Sequence, residues 1–451
     1  METTRRTFIR QAACAALTTT GILNTIFDLR RLSAAPLDAS GYKALVCLFL
    51  YGGNDANNLI VPHDASGYAS YSAARGALAI PQASLLPLTM LNGDGRDFGL
   101  HPNLTDLQSL FNQGKLGVVT NVGTLVAPVT RAQYLAGGAA VPPQLFSHAD
   151  QSVQWQTSVP DVISKTGWGG RMADMLQSLN AGSKISLNIS IAGTNTFEVG
   201  NTVLPYILSP SGSVGLAGFD GSANANVRLQ AFKDLLALPH NNLFEQAYSD
   251  TVSRSIAAND LLTSALAGVP AFQTVFPASS LGQQLNMIAK LIAARTNLSM
   301  NRQIFFCSVG GYDTHGDQLN GQANLFTELS QGLNAFYNAT NELGVAQNVT
   351  TFTASDFGRT YPTNGGGSDH GWGSHQLVMG GAVQGGRLFG TFPTLAVNGP
   401  DDTGQGRWIP TTSVDEFSAT LATWFGVNAS DLSTVLPNIG RFAHPNLGIF
   451  G

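Results

Sequence analysis

The sequence predicts an α/β protein, a three-layer α/β/α sandwich built around a mostly parallel central sheet. Short apolar runs rich in β-branched or aromatic residues recur along the chain, each ending in a Gly-, Asn- or Asp-rich turn. These runs are near-continuously apolar, as strands of a sheet covered on both faces must be. Helical apolar stripes lie between them, and strand–helix alternation is the signature of this architecture.

In chain order, the first strand is expected over residues 44–51 (ALVCLFLY), running into Gly52-Gly53-Asn54-Asp55. A second is expected over 116–122 (LGVVTNV), running into Gly123-Thr124. Two short apolar stretches, 185–191 and 203–208, lie amid many Gly, Asn and Ser and read as a small hairpin. Residues 227–265 read as helices within an insertion around 220–275. A helical stripe at Leu281, Leu285, Ile288 and Leu291 marks 281–294. The strand 303–309 (QIFFCSV) then enters Gly310-Gly311-Tyr312-Asp313, a helix follows over 325–343, and the strand 348–354 (NVTTFTA) enters Ser355-Asp356-Phe357-Gly358. Residues 360–374 (TYPTNGGGSDHGWGS) are too Gly-rich for a regular element and read as a loop. The last helix, 413–425, begins with Ser413 as N-cap and Asp415-Glu416 in its first turn. Residues 36–451 are expected to form a single domain.

Of 451 residues, 43% are hydrophobic and only 11% charged, against roughly 25% charged in a typical soluble protein. The formal net charge is −5 and no long basic run occurs, which argues against a nucleic-acid binder that neutralises phosphates with Lys and Arg. Recurrent apolar blocks argue against disorder.

Residues 1–35 have the layout of an export signal. Arg5-Arg6 precedes Phe8, a modest uncharged run follows, and Ser33-Ala34-Ala35 supplies small residues for cleavage. The arginine pair resembles a twin-arginine signal, which implies the twin-arginine translocation machinery as a partner and a periplasmic or secreted mature protein. The apolar run is shorter than the ~20 residues a membrane span needs, so no stable span is expected after processing. Cys47 and Cys307 both sit in strand-like runs; small buried thiols and a disulfide between neighbouring strands are both open.

Chemistry-bearing residues gather at three predicted strand ends: Asp55, Asp313 with His315, and Asp356, joined by Asp369-His370 in the following loop. Mixed Asp and His sets suit divalent cations, and a parallel sheet brings residues distant in sequence to one rim. The alternative is that these aspartates cap the helices that follow each strand.

In order along the chain stand Gly52-Gly53-Asn54-Asp55, Asn121-Val122-Gly123, Thr130-Arg131-Ala132-Gln133-Tyr134, Phe146-Ser147-His148, Gly311-Tyr312-Asp313-Thr314-His315, Ser355-Asp356-Phe357-Gly358-Arg359 and Asp369-His370-Gly371-Trp372-Gly373. This series resembles the exported bacterial family called domain of unknown function 1501, which is grouped with the alkaline phosphatase and sulfatase superfamily. The resemblance implies an alkaline-phosphatase-like fold and one divalent ion (Ca, Zn, Mg or Mn) held by Asp55, Asp313, His315, Asp356, Asp369 and His370. It also implies an anionic ester, phosphate or sulfate, as substrate. The superfamily has a ligating His where this chain has Phe357, so a second ion lacks a ligand; His375 is a weaker candidate than His370. In the segment 122–131, where the superfamily keeps its nucleophile, Thr124 and Thr130 are the only hydroxyls, and no Cys-x-Pro-x-Arg occurs. Thr130 is either a nucleophile or a helix cap, and Arg131 is placed to hold an oxyanion. Asn54, His148 and Arg359 are candidates to contact substrate, with His148 equally open as a structural histidine and Arg359 as the partner of an acidic neighbour. A metal-dependent hydrolase or transferase is the reading this favours; a non-catalytic exported binding module that keeps the fold is the alternative.

Overall fold

The computed structural model describes residues 41–212, 216, 218–219 and 221–451; the export signal read in residues 1–35 lies outside them. Twelve strands are described: β1 (Lys43–Leu50), β2 (Ile60–Pro62), β3 (Leu86–Pro87), β4 (Phe98–Leu100), β5 (Leu116–Gly123), β6 (Asn188–Ser190), β7 (Tyr206–Ile207), β8 (Arg302–Val309), β9 (Val349–Ser355), β10 (Ser374–Gly380), β11 (Leu388–Phe389) and β12 (Thr412–Ser413). The main sheet runs β11-β5-β10-β9-β1-β8-β6-β7, with β12 also on β5. Every pairing in it is parallel except those of β10, which runs against β5 and β9. The remaining strands, β2, β4 and β3, form a small antiparallel sheet.

Alternate side chains of β1 enter two cores. Ala44, Val46, Leu48 and Leu50 pack with the helices Thr105–Asn112, Ser280–Ala293 and Gln318–Glu342. Leu45, Cys47 and Phe49 pack with Trp168–Leu176, Val414–Phe425 and Leu432–Val435. This is the predicted three-layer sandwich, and it explains the continuous apolar runs: both faces of the central strands are dry. Each fully buried Leu or Phe contributes about 1.5–3 kcal/mol relative to exposure. Cys307 sits opposite Leu48, so it faces the first core while Cys47 faces the second. Both thiols are free.

The expected hairpin at 185–191 and 203–208 is corrected: β6 and β7 pair in parallel and extend the main sheet from β8. The helices Ala223–Leu236 and Leu243–Ala267 occupy the predicted helical stretch. Ser413 caps Val414–Phe425 in a reciprocal capping box with Glu416. No described helix is long and apolar enough to cross a membrane.

The register fixes the functional rim. Leu50 stands opposite both Val309 of β8 and Ser355 of β9, so the turns carrying Asp55, Asp313 and Asp356 leave the sheet level with one another. Gly52 makes this crowding possible: its φ is +117°, and a Cβ there would lie 2.3 Å from the backbone nitrogen of Asp313.

Candidate metal centre

Three imidazoles and one carboxylate converge above this rim. Asp313 and His315 arrive on the turn after β8, and His370 on the irregular segment between β9 and β10, held by a bridge to Arg359. His148 is the first residue of the helix His148–Thr157, whose N-cap is Ser147. His370 Nε2 lies 3.1 Å from His148 Nε2 and 2.9 Å from His315 Nε2. Asp313 Oδ1 lies 3.1, 3.4 and 3.6 Å from the Nε2 atoms of His315, His370 and His148.

The opposite ring nitrogens are all engaged. His148 Nδ1–H donates to Asp356 Oδ2 at 2.6 Å, His315 Nδ1–H to Asp369 Oδ1 at 3.2 Å, and His370 Nδ1–H to the Phe146 carbonyl at 2.7 Å. With those protons on Nδ1, three Nε2 lone pairs face one another and an anionic oxygen. A cation among the four atoms would relieve their mutual repulsion. Ligand atoms about 2.0–2.1 Å from a tetrahedral ion stand roughly 3.3 Å apart, close to the 3.1–3.6 Å separations within the group His148, Asp313 and His370; His315 Nε2 adjoins this group on the His370 and Asp313 side. His148, Asp313 and His370 therefore form a group that could hold a metal ion, and a mixed set of imidazoles and a carboxylate is one that divalent ions accept. Carboxylate and carbonyl partners on the far ring nitrogen are what orient metal-binding histidines.

Other expected site residues take different places. Asp55 is not among the converging atoms: its carboxylate is fully buried and bound by Arg75, the Gln318 amide and the Asn57 amide. Asp356 and Asp369 stand one step out, each accepting from a histidine of the cluster. Arg359 is buried and pairs with an acid: it donates from Nη1 to Asp313 Oδ1 at 3.0 Å and to the Gly52 carbonyl at 2.8 Å, and from Nη2 to the Ser368 carbonyl at 2.6 Å. It thus takes the acidic neighbour that the sequence offered as one of its two roles. Thr124 is buried, its hydroxyl held between Gln151 and Gln154. Thr130 is the N-cap of Arg131–Leu135, in a capping box with Gln133. Neither threonine hydroxyl is presented to the histidines. Arg131 Nε donates to the Asp402 carbonyl. Asn54 is buried, its backbone N–H on Ser355 Oγ and its carbonyl on Ser374 Oγ. His375 lies inside β10, where it accepts the Asn121 N–H. Phe357 is the apolar wall its position suggests, with its ring 4.7 Å from that of His148 and 4.8 Å from that of His370.

The family model described as "Protein of unknown function (DUF1501)" matches residues 42–436. The chain belongs to the DUF1501 family. Solved structures similar to this DUF1501 protein include the C-terminal periplasmic domain of EcEptC from Escherichia coli (10% identity, 91% of this chain and 90% of that one, TM-score 0.36). Others are the PsFucS1 sulfatase from Pseudoalteromonas sp. (11%, 90% and 73%, TM-score 0.35) and a mutant TAB5 alkaline phosphatase with Mg bound in its M3 site (11%, 89% and 99%, TM-score 0.28). No curated protein matches the sequence.

Electrostatics in the DUF1501 site follow from these contacts. Burial pushes Asp313 up, but the Arg359 hydrogen bond and charge, with His315 and His148, hold it below the usual carboxylate range. The Asn364 amide and His315 lower Asp369. Burial raises Asp356, only partly offset by His148. Burial lowers His370, which favours the neutral, ligating imidazole. The side chains of His370, His148, His315 and Asp313 are 25, 35, 44 and 46% exposed, so solvent and small solutes reach the centre. His148 is the member of the cluster that residue type alone does not place there; its one sequence signal is the Phe146-Ser147-His148 motif.

Proposed function

We propose that this protein holds one divalent ion between His148, His315, His370 and Asp313 and uses it to hydrolyse or transfer a phosphate or sulfate ester outside the cytoplasm. The convergence of three Nε2 atoms on Asp313 Oδ1, each imidazole anchored through Nδ1, carries the reading. The ester class is supported by the family's motif series, and export by the twin-arginine pattern at Arg5-Arg6. An ion bound there would supply Lewis acidity, polarising an ester oxygen and lowering the pKa of a coordinated water.

The chain's own residues set up that chemistry. Asp356, Asp369 and the Phe146 carbonyl hold the three histidines in one tautomer. Arg359 holds Asp313 ionised and aimed. Phe357 excludes water from the inner side of the His148 and His370 rings. Because Thr124 and Thr130 are engaged elsewhere, the reading requires no covalent threonine intermediate. The same engagement favours a second reading, a non-catalytic binding module that keeps the ion.

Elemental analysis of purified protein, followed by a screen on aryl phosphate, phosphodiester and sulfate esters, separates the two. About one equivalent of zinc-like metal with metal-dependent turnover supports hydrolysis; metal without turnover supports the binding module. Absence of bound metal, after zinc is offered, overturns both.

A further inference from the structure

If the centre takes an anionic ester, something beside the ion must grip the anion, and the expected arginines are occupied. Arg359 is buried on Asp313, Gly52 and Ser368. Among the described residues, none of Arg131's hydrogen bonds goes to the cluster. Arg407, which the sequence did not single out, is different. Its Nε donates to the backbone carbonyl of His370 at 2.8 Å, and its guanidinium carbon lies 4.6 Å above the Phe146 ring. Phe146 is the residue whose carbonyl receives His370 Nδ1. Arg407 is therefore joined to one ligand directly and again through that ligand's anchor.

Its backbone is equally fixed: the Arg407 N–H donates to Asp402 Oδ1 at 2.9 Å, and the preceding Gly406 carbonyl receives the Tyr361 N–H at 3.0 Å. Yet neither Nη atom has a hydrogen-bond or ion-pair partner among the described residues, and the side chain is only half-buried. A guanidinium stacked on a ring and tied at Nε has lost most of its rotamer freedom before any ligand arrives. The fork it leaves open matches two oxygens of one oxyanion.

We propose that Arg407 is the substrate-recognition residue of this centre, gripping two non-bridging oxygens of a tetrahedral oxyanion on the substrate. The proposal rests on the reading of the centre as a site for anionic esters. It selects substrates whose anionic group keeps at least two free oxygens.

The test is calorimetric titration of inorganic phosphate, and separately of inorganic sulfate, into the zinc-loaded full chain. Wild type, Arg407→Gln and Arg407→Lys are compared, with zinc content measured for each. Arg407→Gln should weaken binding of the preferred anion about 10–100-fold, as expected for losing hydrogen bonds to a charged group, with zinc content unchanged. Arg407→Lys, which keeps the charge without the fork, should fall between. The stronger response of the two anions identifies the ester. Unchanged affinity in Arg407→Gln, or no binding of either anion to loaded wild type, overturns the proposal. If Arg407→Gln loses its fold or its zinc, Arg407→Lys decides, and wild-type affinity there overturns it. Chelator-stripped wild type separates this idea from the metal reading. Arg407-dependent binding that survives stripping upholds Arg407 and counts against the metal's role. Zinc-dependent binding indifferent to Arg407 does the reverse.

Discussion

Asp356→Asn tests whether the three histidines form a metal centre or merely a polar cluster. The Asp356 carboxylate is buried, and a single oxygen, Oδ2, accepts both His148 Nδ1–H at 2.6 Å and the Gly52 N–H at 3.0 Å. To keep both bonds, asparagine must place its oxygen at Oδ2. Its NH2 then falls where Oδ1 sits, a buried position with no partner. The substitution thus turns an ionic acceptor into a neutral one, which roughly halves the strength of the bond to His148. It also strands a donor, at a cost of about 1–3 kcal/mol. The first effect falls on the ligand and the second on the fold. Loss of an anchor of this kind lowers metal affinity about 10–100-fold, equivalent to about 1.4–2.8 kcal/mol. Competition against a chelating dye measures it, with His370→Ala as the reference that removes a ligand atom outright and should lose more. Unchanged zinc affinity in Asp356→Asn would show that His148 Nε2 is not a ligand, and the geometry would have been misread.

Other expectations follow from single contacts. Arg75→Met leaves the fully buried Asp55 carboxylate without its counter-charge and should destabilise the fold by about 3–5 kcal/mol in urea unfolding; adding Asp55→Asn should restore part of that, and no recovery would count against the pairing. Gly52→Ala places a methyl against the Asp313 backbone, so zinc affinity and thermal stability should fall together; wild-type values for both would show the rim is less crowded than described. Glu198 is wholly buried, and burial pushes it from 4.5 up to about 8, so the folded state keeps its proton while the unfolded state releases it above about 4.5. Its contribution is fully present below that unfolded value and is lost as pH rises toward 8, at up to about 1.4 kcal/mol per pH unit. Glu198→Gln should therefore gain stability relative to wild type between pH 5 and 8, roughly in that proportion; parallel stability–pH curves would refute it.

What the sequence revealed, and what it hid, has a physical pattern. β1, β5, β8 and β9 were legible because both their faces are largely dry and each is rich in apolar, β-branched or aromatic residues. β10 was not, since it opens Ser374-His375-Gln376, buried polar residues with hydrogen bonds to Asn54, Asn121 and Thr353. β6 carries buried Asn188 and Ser190, and it finds its parallel partner in β8, more than a hundred residues later; no local pattern announces such a pairing. At the site, Asp313 and His315 could be picked out by residue type and position at a strand end, and His370 by residue type in the loop that follows β9. His148 could not be ranked, because nothing local places it against Asp356, 208 residues away. Arg75 ends an unremarkable helix, Ala65–Arg75, and only the fold reveals that it points inward at Asp55. Arg407 was missed for the same reason, its meaning residing in Phe146 and His370.

The exchange at Asp55 bears directly on how many ions the protein can hold. A carboxylate at the end of the first strand, level with Asp313 and Asp356, is where a second cation would be expected to find a ligand. Here Arg75 already supplies the positive charge, and it is locked there: beyond Asp55, its Nη1 donates to the carbonyls of Thr360 at 3.1 Å and Tyr361 at 2.8 Å, and its Nε to Asn58 at 3.2 Å. An incoming ion would have to evict a fully buried guanidinium from these bonds and leave it without partners, a penalty of several kcal/mol for a buried charge. Asp356 is a poor alternative foothold, because its Oδ2 is taken by His148 and Gly52, its Oδ1 is buried, and the Phe357 ring packs on the His148 imidazole. Positive charge and apolar wall thus act together, and in the proposed reading they leave room for one ion, held by the histidines and Asp313, beside an arginine that already neutralises Asp55.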